Sequence, residues 1–301
     1  MMKKRVGVAG LGNMGKPMAR NLLKKGYSVA VYDVRPEPME ELKAYGATVT
    51  TSPRELGENS EIVFVMVLDF PQMEACVFAA ETGLLYGMKP DSTFIICSTI
   101  GVAGIRKIAE AAAQRGINIL DSPVSGGVLR AEDGSLTMMV SGDETVFESC
   151  KEVLMAVGSN AKKVGKEIGV GQIVKAANQL LVSVNIVAVA EAMVLGTKAG
   201  ADPEVLFEII RKSVGNSYLF EEKMPTILKG DFSRRGGLGI QIKDLDICLD
   251  LAKQTSVPLF MGAISREIFV LACAMGLGSE DISAVIKVFE KAAGVEVRRS
   301  S

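Results

Sequence analysis

The most restrictive part of this chain is residues 5–33, which read RVGVAGLGNMGKPMARNLLKKGYSVAVYD. An apolar run of strand type precedes three glycines spaced as Gly10-x-Gly12-x-x-Gly15, and an amphipathic segment and a second apolar run follow. Glycines in this spacing allow a tight turn, let the backbone approach a pyrophosphate, and let the helix pack on the strand. The pattern therefore predicts a βαβ unit that binds a dinucleotide at the start of its helix.

Asp33 stands at the end of the second apolar run, where an acid accepts hydrogen bonds from the adenosine ribose. A carboxylate there repels a 2′-phosphate, so we expect NAD as the cofactor and NADP to bind less well. Arg35 keeps the alternative open, because an arginine nearby can bind that phosphate. The predicted cofactor contacts in this region are Gly10, Leu11, Gly12, Asn13, Met14, Gly15 and Asp33.

Apolar runs and amphipathic segments alternate through the first half of the chain. Further runs of strand type are 62–68, 93–97, 117–120 and 136–142, and an amphipathic segment lies at 102–115. Continuous apolar strands separated by helices predict a parallel sheet with both faces covered.

Strand signals stop after Val164, and long helical patterns take their place. We predict an α/β Rossmann-type domain at residues 1–164 and an all-α domain at 165–301. A long interdomain helix at 170–199, about 40 Å at about 1.5 Å per residue, joins them. Its uncharged stretch is too apolar to lie in water, which predicts self-association to a dimer or tetramer. The predicted helices of the second domain are 168–199, 203–214, 217–229, 241–254, 258–275 and 279–291.

Charge and cysteine usage narrow the partners and the compartment. Lysine and arginine number 34 against 35 acidic residues, so no basic excess favours nucleic acid. Five scattered cysteines without a CxxC pair predict free buried thiols in a reducing cytoplasm. No signal peptide is expected, because a glycine-rich turn follows Met1–Lys4. The apolar run 180–190 is interrupted by Ser183 and Asn185, and we expect it to be too short and too polar to span a membrane.

The chain contains no histidine, so the commonest general acid or base is absent. The leading candidate is Lys175 in the stretch GVGQIVKAANQ, which an uncharged run follows from residue 176 to 190. An amine among apolar neighbours gives up its proton more readily, which suits proton transfer. Asn178 and Gln179 follow at i+3 and i+4, so they share a helical face with the lysine and can hold substrate. The alternative is a lysine whose head reaches solvent at the start of a helix.

A second candidate segment, DSPVSGG at residues 121–127, follows an apolar run at the edge where open α/β sheets bind ligands. Ser125 offers a hydroxyl, and Gly126 and Gly127 offer backbone N–H groups with no side chain in the way. These groups predict a cradle for a carboxylate, and the alternative is an ordinary turn between two elements. The stretch KDLDICLDLAK at 243–253 reads by itself as a solvated helix start.

Taken in order, four stretches resemble the β-hydroxyacid dehydrogenase family, which includes 3-hydroxyisobutyrate dehydrogenase and tartronate semialdehyde reductase. They read GLGNMGKPMARNLL, DSPVSGG, GVGQIVKAANQ and IKDLDICLDLA, and the resemblance covers essentially the whole chain. It implies an NAD-dependent oxidoreductase that interconverts a small hydroxy acid, of the 3-hydroxyisobutyrate or glycerate type, and its aldehyde or keto acid.

The resemblance also implies roles for individual residues. Lys175 is the implied catalytic acid or base, and Asp244 supports the segment that brings Lys243 to the active site. The implied substrate contacts are Ser125, Gly126, Gly127, Asn178, Gln179 and Lys243. The implied cofactor contacts outside the glycine loop are Leu68, Asp69, Thr99, Lys243 and Asp244.

The substrate stays open at this level. Gln179 stands where many members have asparagine, and the Asn-Gln pair looks like that of tartronate semialdehyde reductases. The segments GNSYLFEEKM and SAVIKVFEKAAGVEV are instead similar to relatives that act on threonate or 2-(hydroxymethyl)glutarate. Asp69 stands where proline is frequent, which can alter the cofactor cleft.

Other functions on the same scaffold remain alternatives. A non-catalytic interaction module would have lost the lysine, and an imine reductase usually carries an acid or tyrosine in its place, so Lys175 argues against both. A second substrate carboxylate has three candidate partners, each of which reads alternatively as a surface charge: Arg130, Arg234 and Arg235.

Overall fold

In the computed structural model of the chain, the described residues are 3–233 and 237–299. The chain divides into two units, Met1–Lys175 and Ala176–Ser301. The domain boundary that we predict after Val164 falls inside a strand, Gly158–Gly165, and the division into units lies farther along the chain.

The first unit alternates strands and helices. Its strands are β1 (Val6–Ala9), β2 (Val29–Tyr32), β3 (Thr48–Val49), β4 (Ile62–Val65), β5 (Thr93–Ile96), β6 (Asn118–Asp121), β7 (Val124–Ser125), β8 (Leu136–Gly142) and β9 (Gly158–Gly165). Its helices are α1 (Gly15–Lys24), α2 (Pro36–Lys43), α3 (Pro53–Glu58), α4 (Phe70–Phe78), α5 (Leu84–Gly87), α6 (Gly101–Ala113), α7 (Gly127–Asp133) and α8 (Glu144–Val157).

The strands form one sheet in the order β3-β2-β1-β4-β5-β6-β8-β7, and β9 pairs with β8. The pairs from β3 to β6 are parallel, which confirms the predicted parallel sheet for this part. The prediction was wrong for β8, which runs antiparallel to β6 and β7. Only the short segment 126–135 joins β7 to β8, whereas a parallel crossover takes roughly a dozen or more residues.

Successive residues of the central strands point to opposite faces of the sheet. Ile62 and Phe64 of β4 belong to one buried apolar cluster with helices α1 and α8, and Val63 and Val65 belong to another with α4 and α6. This alternation is the period of two that a pleated strand imposes. The predicted burial of both faces is therefore confirmed.

Sequence patterns missed β9, although it has eight residues. Most of its side chains are exposed or half-buried, so GSNAKKVG carries no apolar run. Its partner β8 is buried along most of its length. Backbone pairing with that neighbour, rather than side-chain burial, makes β9 a strand.

The second unit is helical. Helix α9 (Val170–Lys198) begins in the first unit and continues into the second. The remaining elements are α10 (Pro203–Ile210), α11 (Tyr218–Lys229), α12 (Ile240–Thr255), α13 (Phe260–Ala274), the 3₁₀ turn η1 (Ile282–Val285) and α14 (Ile286–Ala293). The helix predicted at 279–291 starts later, because Asp281 accepts a hydrogen bond from the N–H of Ser283 and opens η1 instead. The helix predicted at 203–214 ends early, at Ile210.

One helix among the described residues, α9, is long and apolar enough to cross a membrane by length and composition. The run 180–190, which we expect to be too short and too polar by itself, is part of this helix of 29 residues. Its side chains Ile186, Ala190 and Met193 are buried in the apolar core of the second unit, with Phe220 and others. This face of α9 is therefore part of the core of the second unit, as predicted for a buried helix.

Candidate active site

Two of the three glycines between β1 and α1 have a steric reason to be glycine, and the third, Gly12, borders open space. Gly10 has a φ of +84°, and an added Cβ would overlap the carbonyl oxygen of Met66. An added Cβ on Gly15 would overlap the carbonyl oxygen of Gly10. At Gly12 a Cβ would meet nothing within 4 Å, so this part of the backbone faces open space. The turn, the close packing and the open approach are the three features that a pyrophosphate loop needs.

The amino end of α1 offers backbone donors. Met14 is the N-cap residue, and it makes no side-chain hydrogen bond to the first turn. The first N–H groups of a helix have no partner inside the helix. The N–H of Lys16 donates to the carbonyl of Gly12 at 3.1 Å, and an apolar cap leaves the others to an external acceptor. A phosphate is such an acceptor and is also favoured by the helix dipole. The loop from Gly10 to Gly15 therefore fits a dinucleotide.

Asp33 lies beside this loop at the carboxyl end of β2. Its Oδ2 accepts a hydrogen bond from the N–H of Leu11 at 2.6 Å, and its Oδ1 accepts from the N–H and Nε of Arg35 at 2.9 and 3.0 Å. Burial raises the pKa of Asp33, but the hydrogen bonds from Arg35 and Leu11 outweigh it, so the pKa lies below its ordinary value. The predicted ribose acceptor is thus an ionised carboxylate, and Arg35 is ion-paired to it.

Three further predicted cofactor contacts follow strands of the same sheet edge. Leu68 and Asp69 come after β4, and the half-buried Thr99 comes after β5. The two loops are joined, because the N–H of Val67 donates to Ser98 Oγ at 2.8 Å. Since carboxyl ends of parallel strands meet at one edge, these loops lie on the side of the sheet that carries the glycine loop.

Asp69 has a structural role that explains an acid at this position. Its Oδ1 accepts a hydrogen bond from the N–H of Gln72 at 3.0 Å and caps helix α4. Leu68 is 48% exposed, which leaves an apolar side chain open to a ligand at the edge of the sheet. The cofactor contacts of both residues stay predictions.

The segment DSPVSGG turns sharply into α7. Ser125 ends β7 and is half-buried, Gly126 has a φ of +131°, and Gly127 has a φ of +66°. An added Cβ on Gly127 would meet nothing within 4 Å, so its backbone faces open space. The side chain of Arg130 packs against Gly126, where an added Cβ would come within 2.5 Å of its Cδ. The predicted carboxylate cradle therefore has an arginine at its side.

A buried polar cluster that sequence reasoning missed lies next to this segment. Asp121 is fully buried, and its Oδ2 accepts hydrogen bonds from Gly169 N at 3.2 Å, Gln172 N at 3.1 Å and Ser141 Oγ at 3.1 Å. Its Oδ1 accepts from Gln172 Nε2 at 2.7 Å. Burial raises the pKa of Asp121 above its ordinary value, against the hydrogen bonds from Gln172 and Ser141. The only signal in the sequence is an amide at position 172 inside an apolar stretch.

Gln172 connects this cluster to the loop that carries Thr99. Its Oε1 accepts from the N–H groups of Ile100 at 2.9 Å and Gly101 at 3.1 Å, and its Nε2 also donates to the carbonyl of Ser98 at 3.1 Å. Lys175 follows three residues later on α9, and only 8% of it is exposed. The alternative of a lysine that reaches solvent at the start of a helix therefore does not describe it.

In the second unit, α9 and α12 bring four predicted residues together. Gln179 Nε2 donates to Asp244 Oδ2 at 2.6 Å, and Asn178 Nδ2 donates to Gln179 Oε1 at 3.1 Å. Lys243 Nζ lies 2.9 Å from Asp244 Oδ1. Gln179 and Asp244 are buried, so the start of α12 is not the solvated face that its charges suggest.

The cysteines of the described chain do not compete for the acid/base role. All five are free thiols, and three of them are buried. Burial raises the pKa of Cys76 to about 12 and that of Cys248 to about 11, so both stay protonated near neutral pH. Of the three candidate arginines, Arg234 and Arg235 lie outside the described residues.

Two family models together match most of the chain. Residues 5–165 match the family described as the NAD binding domain of 6-phosphogluconate dehydrogenase. Residues 169–289 match the family described as NAD-binding of NADP-dependent 3-hydroxyisobutyrate dehydrogenase.

Individual relatives cover nearly the whole chain. It is 41% identical to 2-(hydroxymethyl)glutarate dehydrogenase of Eubacterium barkeri, over 97% of each chain. It is 39% identical to L-threonate dehydrogenase of Cupriavidus necator, over 96% of this chain and 97% of that one. The crystal structure of 3-hydroxyisobutyrate dehydrogenase from Salmonella typhimurium matches with a TM-score of 0.87 and 37% identity, covering 95% of this chain and 100% of that one.

Proposed function

The chain belongs to the β-hydroxyacid dehydrogenase family, and we propose that, among the hydroxy acids of this family, it acts on one with a second carboxylate, of the 2-(hydroxymethyl)glutarate type. It is an NAD-dependent oxidoreductase that interconverts a hydroxy acid and its aldehyde or keto acid. Oxidation of a hydroxymethyl group gives an aldehyde, so the proposed product is a formyl dicarboxylic acid.

The observation that carries the substrate proposal is the position of Arg130. Its side chain packs against Gly126 in the segment that we predict to hold the first carboxylate. A guanidinium binds a carboxylate through two parallel hydrogen bonds, and it keeps its charge at all working pH values. A dicarboxylic acid supplies a second anion for that arginine, whereas 3-hydroxyisobutyrate has only one. A relative that is 41% identical is named for a dicarboxylic hydroxy acid.

The chemistry assigns one task to each group of residues. Bound NAD, held by the glycine loop and Asp33, supplies the acceptor for a hydride. The backbone of Gly126 and Gly127 and the hydroxyl of Ser125 orient the substrate carboxylate. Lys175 Nζ takes the proton from the substrate hydroxyl during oxidation and returns it during reduction.

The second unit contains an amide pair that offers hydrogen-bonding groups for a ligand. Asp244 accepts from Gln179 Nε2, so Gln179 presents its oxygen to Asn178. One N–H of Asn178 donates to Gln179, so its carbonyl oxygen and its second N–H can bind a ligand. We propose that these groups are substrate contacts, and that Lys243 is a further one, as the family resemblance implies.

A panel of acids tests the substrate proposal. The formation of NADH is followed at 340 nm with 2-(hydroxymethyl)glutarate, L-threonate, 3-hydroxyisobutyrate and glycerate. We expect kcat/KM to be highest for the dicarboxylic acid by at least about tenfold, since the loss of one charged hydrogen-bonded pair costs about 1.5–3 kcal/mol. Arg130→Ala should remove this advantage and leave kcat/KM for 3-hydroxyisobutyrate nearly unchanged. An equal loss with both acids would contradict the proposed role of Arg130.

L-Threonate is a second candidate, favoured by the amides of Asn178 and Gln179. A polyhydroxylated acid offers additional hydroxyl groups, and an amide can both donate to and accept from them. A relative that is 39% identical is an L-threonate dehydrogenase. A kcat/KM that is highest for threonate and unaffected by Arg130→Ala would favour this candidate over the dicarboxylic acid.

We also propose that the chain forms a dimer or tetramer in the cytoplasm. Large apolar side chains are exposed on α9 and α13, with Leu195 72% and Phe260 77% exposed. Leu181, Met261 and Ile264 extend these two apolar faces. Exposed apolar surface of this kind is typical of interfaces between subunits. Sedimentation velocity should show a dimer or larger, and Phe260→Glu with Ile264→Glu should shift it toward monomer, whereas a monomeric wild-type chain would contradict the proposal.

A further inference from the structure

We propose that Gln172 is a positioning residue that holds Lys175 and the cofactor loop 98–101 in one fixed arrangement. The inference rests on the proposed roles of Lys175 as the acid/base and of the Thr99 loop as a cofactor contact. In this proposal Gln172 contacts neither substrate nor cofactor, and it acts by positioning Lys175 and the loop 98–101.

The side chain of Gln172 is completely buried and uses all of its hydrogen-bonding groups. Its oxygen accepts two bonds, from Ile100 N and Gly101 N, and its Nε2 donates two, to Ser98 O and Asp121 Oδ1. An amide has two donor hydrogens and two acceptor lone pairs, so no capacity is left over. A buried side chain satisfied in this way has one orientation.

The first turn of α9 is held to the sheet from a second direction. The N–H of Gly171 donates to Ser141 Oγ at 3.0 Å, and that hydroxyl donates to Asp121 Oδ2. A Cβ on Gly171 would come within 2.6 Å of the carbonyl oxygen of Met139 and 2.8 Å of Asp121 Oδ2. The first turn of α9 therefore lies close against β6 and β8 at Gly171.

This attachment is transmitted to Lys175 through a rigid element. Lys175 lies three positions after Gln172 in α9, which corresponds to about 4.5 Å along the axis. A shift of the first turn therefore moves the start of the lysine side chain with it. A displacement of about 1 Å at a catalytic group can cost roughly 100-fold in rate. The side-chain amide of Gln172 also fixes the backbone on both sides of Thr99. One residue therefore holds both the cofactor loop and the helical turn that precedes the lysine.

The variant Gln172→Glu tests the proposal with little change of shape. It replaces Nε2 by an oxygen that faces the Asp121 carboxylate and the Ser98 carbonyl, so two attractive contacts become repulsive. We expect kcat to fall by about 10- to 100-fold and KM for NAD to rise. Gln114→Glu, on the exposed end of α6, is the matched control and should leave both parameters unchanged.

A reciprocal exchange separates positioning from general destabilisation. In the double variant Asp121→Asn/Gln172→Glu the donor and the acceptor of the Nε2–Oδ1 contact are swapped, and the number of carboxylates is the same as in wild type. We expect kcat to recover by at least about fivefold over Gln172→Glu, because the attractive contact is restored while that to Ser98 is not. If Gln172→Glu lowers the melting temperature but the folded enzyme turns over at the wild-type kcat, the role is merely structural and the proposal is overturned.

Hydrogen exchange gives a readout that needs no activity. Backbone amides in the peptides that cover 98–101 and 169–175 should exchange faster in Gln172→Glu, together, whereas α1 and α14 should be unchanged. Faster exchange in only one of the two segments would overturn the shared anchor. If Lys175→Ala retains wild-type turnover, the proposed acid/base is wrong, and the exchange result alone then decides whether Gln172 couples the two segments. If Gln172→Glu does not fold, the same measurements are made on Ser141→Ala, which removes one hydrogen-bond donor to Asp121. We expect a smaller loss of kcat in this variant.

Discussion

The carboxylate of Asp33 accepts a hydrogen bond from the backbone N–H of Leu11, with 2.6 Å between Oδ2 and the nitrogen. This bond joins the end of β2 to the glycine loop that follows β1. The acid that we assign to the ribose and the loop that we assign to the pyrophosphate are thus held as one piece. Two predictions follow from the state of this carboxylate.

Cofactor choice is the first. We expect wild-type enzyme to prefer NAD over NADP in kcat/KM, because Asp33 is ionised and repels a 2′-phosphate. Asp33→Ala should reduce the ratio of kcat/KM for NAD to kcat/KM for NADP by about 10- to 100-fold. The variant loses both the hydrogen bond to the ribose and the repulsion of the 2′-phosphate. Glu37→Ala, a nearby acid on α2, serves as the control. A wild-type preference for NADP would show instead that Arg35 binds the phosphate.

Acid sensitivity is the second. The pKa of Asp33 in the folded chain is lower than its ordinary value of 3.8, so the ionised carboxylate stabilises the fold. This contribution is complete above the unfolded pKa and is lost as pH falls through the folded pKa. Between about pH 5 and about pH 3, wild type should therefore lose more free energy of unfolding than Asp33→Asn. Parallel urea titrations at each pH measure this difference, and equal losses in both proteins would contradict it.

Substitutions at two glycines of the loop should affect folding and cofactor binding separately. Gly15→Ala should destabilise the fold or prevent it, because the new Cβ would overlap the Gly10 carbonyl oxygen. Gly12→Ala should leave the melting temperature nearly unchanged, because nothing lies within 4 Å of its added Cβ. The methyl group should instead obstruct the dinucleotide and raise KM for NAD by about tenfold or more. Wild-type KM in Gly12→Ala would show that the cofactor does not approach at this residue.

The next prediction concerns proton transfer by Lys175. Lys175→Ala should lower kcat by about 10²- to 10⁴-fold, because general acid–base catalysis typically contributes that factor. The dissociation constant for NADH should stay nearly unchanged, and Lys175→Arg should not restore activity, since a guanidinium keeps its proton at working pH. Lys166→Ala, an exposed lysine before α9, is the control. A loss below tenfold in a folded, NADH-binding Lys175→Ala protein would assign the lysine a structural role.

Lys243 should behave differently from Lys175. Its ammonium lies 2.9 Å from Asp244 Oδ1, so it is held by a carboxylate. We expect Lys243→Ala to lower kcat less than Lys175→Ala does and to raise KM, as for a residue that positions a ligand. A kcat as low as that of Lys175→Ala would indicate that both lysines take part in proton transfer.

Much of the first unit could be predicted from the sequence, because its signals are local. The glycine spacing reflects contacts within one turn, and the apolar runs of β1, β2, β4 and β5 reflect burial on both faces of a sheet. Lys175 could be singled out because an isolated charge and the absence of histidine are visible without any coordinates. The buried state of its side chain agrees with that reading.

Only the tertiary structure decided the features that depend on distant partners. The antiparallel direction of β8 and the existence of β9 follow from pairing with neighbours, and β9 has almost no apolar pattern of its own. The cluster around Asp121 and Gln172 joins residues 51 positions apart. A buried polar side chain has no periodic signature, since its burial is tolerated only where the fold brings donors and acceptors to it. The sequence by itself therefore determined the fold class, the cofactor loop and the candidate lysine, and the packing of α9 onto the sheet decided how that lysine is held.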